Sequence, residues 1–149
     1  MKNILKVFPL DNSPGYMINR LAREMNAYLY RSFRKKGFEI TAQQWAVLNR
    51  LWEKEGVHQS RLAQLTSKNR HNMAMILKQL EAKGFVKKKA DSKDKRLNRV
   101  YLTKSGKALK KELIPIAVNT TETLFKTVAI EDMKAFKRVY QMVIRNLKL

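Results

Sequence analysis

With 149 residues, 44% of them hydrophobic, the chain is long and apolar enough to fold as one domain around a full-sized core. It contains no cysteine, which excludes disulfides, a thiol nucleophile and a thiol redox switch, and no apolar run approaches the roughly 20 residues that span a bilayer. Lys and Arg total 32 against 12 Asp and Glu; the resulting charge of +20 attracts polyanions, nucleic acid foremost, with an anionic membrane or the ribosome as rivals.

Met1 to Pro9 mixes two lysines with apolar residues and lacks a small-residue cleavage site, which argues against a signal peptide and for a cytoplasmic protein. Ser13-Pro14 reads as an N-cap followed by proline at the first helical position. Ile18, Leu21, Met25 and Leu29 then recur at helical spacing until Gly37. A second helix starts at Thr41, where Thr41 and Gln44 form a capping box and Ile40 and Trp45 a hydrophobic staple. It turns Trp45, Leu48 and Trp52 inward and stops by Gly56.

A short helix over Ser60 to Leu65, with His58 as a modest cap before it, leads through the polar turn Thr66-Ser67-Lys68 to a helix capped by Asn69. Met73, Ile76, Leu77 and Leu80 give that helix a buried stripe, and Gly84 stands where a left-handed C-terminal residue belongs. Two helices joined by a tight turn are the helix-turn-helix pattern. Phe85 to Lys89 and Leu97 to Leu102 then read as a two-stranded hairpin with a charged tip, which needs the helices to pack against. Helix resumes at Thr103-Lys104-Ser105-Gly106 and runs towards Val128, with Pro115 expected to kink or interrupt it. A last helix from Ile130 carries Met133, Phe136, Tyr140, Val143 and Leu147 at alternating spacings of 3 and 4, a heptad seam. That seam, with Ile18 and Leu21 on the first helix, suits a homodimer contact.

The fold class is therefore mainly α with a small β-hairpin wing. The order of elements resembles the MarR family of bacterial regulators over about residues 10–149. The likeness is carried by Leu62-Ala63-Gln64-Leu65, Gln79-Leu80-Glu81-Ala82-Lys83-Gly84-Phe85-Val86, the wing Asp91-Ser92-Lys93-Asp94-Lys95-Arg96 and Val100-Tyr101-Leu102-Thr103-Lys104-Ser105-Gly106. It implies one domain over 1–149. A winged helix-turn-helix would occupy about 40–103, and the flanking helices, about 10–37 and 104–149, would form the dimerisation region. It further implies recognition helices in the major groove, wings in the minor groove, and repression lifted in many members by a small, often phenolic, ligand. Ser67, His71 and Met75 depart from the family's usual glycine, small hydroxyl residue and arginine, which leaves the operator sequence open but not DNA binding.

On the recognition helix the apolar stripe leaves Arg70, His71, Asn72, Met75 and Lys78 facing outwards. Arg70 suits guanine, Asn72 adenine, and Met75 a thymine methyl, whereas Lys68 and Lys78 suit phosphates. In the wing, Lys93 and Lys95 are assigned to the minor groove, Arg96 to an ion pair with Asp91, and Lys87, Lys88 and Lys89 to a basic strip toward the phosphates. Asp91 and Asp94 are read as partners for these cations rather than as a catalytic or metal-binding pair. His58 and His71 are the only histidines, with no ligand partners at zinc spacing and no cofactor implied. Tyr16, Tyr28, Tyr30, Trp45 and Trp52 are core-like aromatics that also leave room for a ligand. The alternative within DNA binding is a sequence-tolerant, nucleoid-like protein held by counterion release. An enzyme, such as a basic nuclease, lacks the carboxylate cluster or general base it would need.

Overall fold

A computed structural model describes residues 9–148. The expectation about a signal peptide therefore falls, apart from Pro9, outside the described residues. After a short 3₁₀ turn at Leu10–Asn12 come α1 (Pro14–Lys35), α2 (Ala42–Glu53), β1 (Val57–His58), α3 (Gln59–Leu65) and α4 (Arg70–Ala82). They are followed by β2 (Val86–Ala90), β3 (Asn98–Leu102), α5 (Lys104–Phe125) and α6 (Ile130–Leu147). Two compact units result, one through Ala117 and one from Val118 to Leu149, and the division falls within α5 just past Pro115.

The local signals act where the sequence places them. Pro14 opens α1, although Ser13 makes no side-chain capping bond. Thr41 Oγ1 accepts from the Gln44 backbone N–H at 3.1 Å, and Gln44 Oε1 accepts from the Thr41 N–H at 3.2 Å, closing the capping box. Gly37 and Gly84 take φ of +87° and +76°, the left-handed region that lets each chain end leave its helix without a Cβ clash.

The core of the first unit gathers one apolar face from each element. Phe33 of α1, Val47, Leu48 and Leu51 of α2, Leu62 of α3, Met73, Leu77 and Leu80 of α4, Val100 of β3 and Leu113 of α5 are fully buried. Trp45 packs between Phe33 and Trp52, with ring centroids 5.4 and 5.6 Å away, so the two partly buried tryptophans lie against the core that Phe33 belongs to.

Two expectations are corrected. The hairpin is part of a three-stranded antiparallel sheet in the order β1-β3-β2, because Val57 pairs with Val100 and His58 with Arg99. A two-residue strand is too short to show alternation in sequence. Of the kink or interruption expected at Pro115, the interruption is absent, since α5 runs unbroken from Lys104 to Phe125. Proline removes one helical N–H, but it sits on the exposed side, where water can reach the freed carbonyl, while Leu109 and Leu113 anchor the preceding turns in the core.

In the second unit α6 has no buried residue. Ile130, Phe136, Val139, Tyr140, Met142, Val143 and Leu147 are all exposed large hydrophobics.

Candidate nucleic-acid interface

The helix-turn-helix is built by backbone bonds at the turn. The Thr66 N–H bonds the Leu62 carbonyl at 3.0 Å, and the Lys68 N–H reaches back to Ala63 at 2.8 Å. That reversal puts Ser67 at φ +53°, in the left-handed region, which explains why a glycine suits this position. Asn69 then accepts from the Asn72 N–H at 2.8 Å and starts α4 as expected. Once Met73, Ile76, Leu77 and Leu80 are buried, helical geometry leaves Arg70, His71, Asn72, Met75 and Lys78 exposed in one outward row, with Lys68 half-buried before them.

The opposite end of α4 is fixed by a polar cluster that the sequence did not disclose. Gln44, 3% exposed, donates from Nε2 to Gln79 Oε1 at 2.9 Å. The Lys83 ammonium donates to Gln44 Oε1 at 3.0 Å and to the Glu39 carbonyl. The recognition helix is thereby tied to the start of α2 rather than held by apolar packing alone.

In the wing, the assigned Asp91–Arg96 pair does not form. Arg96 instead forks onto its near neighbour Asp94, through Nε at 3.1 Å and a second guanidinium nitrogen at 3.1 Å. Asp91 is 5% exposed and receives Arg99 Nε at 2.6 Å and the His58 ring at 2.8 Å. Its other oxygen accepts the backbone N–H groups of Lys93 at 2.8 Å and Asp94 at 3.2 Å. The physical reason is register. Lys89 stands opposite Arg99, so Asp91 at the end of β2 lies against β3 and β1, whereas Arg96 points out at the tip. The His58 bond, the Lys93 N–H and the Arg99 guanidinium together hold the Asp91 carboxyl well below the usual carboxylate range. His58 makes no capping bond to α3; its ring is committed to the wing.

The tip beyond this anchor is cationic and open. Lys93, Lys95 and Arg96 are exposed, as are Lys87 and Lys89 on β2. Lys88, on the other face of the strand, is paired with Glu81 of α4 at 3.2 Å, and so braces wing against recognition helix. Between the two lies a cleft of about 390 Å³ bounded by Gln59, Ser60, Arg70, Met73, Arg96 and Asn98. One arginine from the recognition helix and one from the wing thus face a single groove. The predicted interface residues Ile18 and Leu21 on α1, and Phe136, Tyr140, Val143 and Leu147 on α6, are exposed, while Met133 is half-buried. Among the described residues no group of three His, Asp or Glu side chains is placed to hold a metal, and no helix is long and apolar enough to cross a membrane.

Residues 40–97 match the family model described as the MarR family. The HTH-type transcriptional regulator YybA of Bacillus subtilis is 25% identical over 88% of this chain and 86% of its own. A MarR transcriptional regulator from Methanosarcina mazei superposes with a TM-score of 0.77 at 27% identity, covering 90% of this chain and 96% of that one. MepR of S. aureus, solved as a DNA complex, shares the fold at a TM-score of 0.80 and 21% identity, over 90% of this chain and 98% of its own. In its winged helix-turn-helix, its architecture and the sequence of residues 40–97, the chain is similar to the MarR family of transcriptional regulators.

Proposed function

We propose that this chain is a sequence-specific double-stranded DNA-binding regulator that works as a homodimer. The observation that carries the reading is the juxtaposition, across one cleft, of Arg70 at the start of α4 with Arg96 of the wing. An α-helix fits the major groove, where Arg70 and Asn72 have the donor patterns for guanine and adenine. Lys68, Lys78, Lys87 and Lys89 are suited to phosphates, and Lys93, Lys95 and Arg96 to the neighbouring minor groove. The winged region over about 40–103 does the reading. The helices over about 10–37 and 104–149 pair the two copies, and their exposed apolar rows support that division. Repression relieved by a small effector is the regulatory mode that the family likeness favours.

Selection of bound sequences from random duplex DNA at about physiological salt tests this reading. A pseudo-palindrome with half-sites about one helical turn apart is the expected result. Binding without an enriched motif, collapsing as salt rises, would replace it with the nucleoid-like alternative. Titrating the complex with phenolic carboxylates then tests release.

A further inference from the structure

A second cleft, of about 410 Å³, lies beside the first, and His58 lines both. Its walls are the C-terminal end of α2, β1, the outer face of α3 and Arg99 of β3. Arg50, Lys54, Arg61 and Arg99 all contribute to it, and Glu53 is the one acidic side chain in its lining. Glu53 is engaged by Arg50 at 3.3 Å, and Arg99 is engaged by Asp91. Arg61 meets only the neutral Gln64 amide, at 3.2 Å, and among the described residues neither Arg61 nor Lys54 has a carboxylate partner.

We propose that Lys54 and Arg61 extend the DNA-binding surface past the wing anchor, holding backbone phosphates of the duplex outside the segment that is read by α4. The inference rests on the DNA-binding reading above and adds a footprint to it. A strand that leaves the Arg70–Arg96 cleft meets His58 next and then these two cations. Both side chains are exposed at the rim rather than converging inside a closed cavity. That arrangement suits a polyanion passing across the cleft better than an enclosed small ion. Because these contacts reach phosphates alone, they add affinity without sequence preference.

The test is the salt dependence of binding, with the selected operator and an unrelated duplex as probes. Each phosphate contact contributes a slope of about −0.9 in log K against log salt. The double variant Lys54→Gln/Arg61→Gln is expected to flatten the slope by about 1 per side chain on both duplexes, with the preference for operator unchanged. Lys54→Arg/Arg61→Lys keeps both charges and should restore it. Lys110→Gln/Lys111→Gln removes the same charge from a separate surface of α5 and should leave the slope at the wild-type value. An unchanged slope in the first variant, or an equal flattening in the α5 pair, overturns the proposal. Wild type that prefers no sequence would sink the regulator reading instead, while the slope comparison on the unrelated duplex would still stand.

Discussion

At the scale of single residues, Asp91 does more than balance charge. It gathers one side chain from β1, one from β3 and two backbone N–H groups of the wing turn onto a nearly buried carboxylate, so the shape of the turn depends on its ionisation. The carboxyl is depressed relative to its unfolded value, which lies near ~3.9. Its stabilisation is therefore complete above that pH and is lost as the pH falls toward the lower folded value. Asp94 and Glu39 are depressed too and add to the same trend. Asp91→Asn isolates the contribution. Thermal melting from pH 6 to 3 should show a lower starting stability and a shallower acid decline in the variant, with faster exchange of the Lys93 and Asp94 amides. Equal acid slopes in the two proteins would refute the role. Gly106 is a steric case. A Cβ there would stand 2.0 Å from the Phe85 carbonyl oxygen, and the Gly106 carbonyl also accepts the Trp52 indole N–H at 2.9 Å. Backbone cannot yield as a flexible side chain can, so Gly106→Ala should cost about 1–3 kcal/mol in denaturant unfolding. Ser67 invites the reverse change. Left-handed backbone costs a residue with a Cβ about 1–2 kcal/mol, part of which glycine returns as unfolded-state entropy, so Ser67→Gly should raise stability by up to ~1 kcal/mol.

At the scale of elements, the recognition helix and the wing divide the work, and substitutions separate their roles. Arg70→Ala should cost about 1–3 kcal/mol on the operator and relax preference at one base pair. Lys78→Ala should weaken binding almost equally on all duplexes and flatten the salt slope by about 1 for each bound protomer. If repeated sequence selection gave Arg70→Ala the same motif as wild type, Arg70 would move to the phosphate class. These helices were legible in sequence because their signals are local. A capping box spans four residues, an apolar stripe repeats within two turns, and a left-handed glycine marks its own position. The wing anchor was not legible, because it depends on strand register. Arg99 and Arg96 are both plausible partners for Asp91 until the pairing of Lys89 with Arg99 is known. His58 lies far back in the chain, on a strand of two residues, and no period announces it. Lys83 was hidden for the same reason: its partners, Glu39 and Gln44, belong to the other end of the helical core.

At the scale of the whole molecule, charge and exposed apolar surface act on different events. A net charge of +20 accelerates encounter with DNA, and it also makes two copies repel one another. The proposed pairing of two copies must therefore draw on apolar burial. On α6, Phe136, Tyr140 and Val143 follow one another at spacings of 4 and 3 and are 52%, 60% and 48% exposed. On α1, Ile18 and Leu21 are 58% and 49% exposed. Large side chains in such rows stabilise by about 25 cal/mol for each Å² removed from water, and a second copy presents the same self-complementary rows. Phe136→Glu/Tyr140→Glu places carboxylates into that seam while leaving the winged region, which belongs to the other unit, untouched. In equilibrium sedimentation the wild type should run as a dimer and the variant as a monomer. The variant's affinity for a full operator should fall towards that for a single half-site, because the second recognition helix no longer arrives with the first. A variant that remained dimeric would remove α6 from the interface and leave α1 as the face to test next.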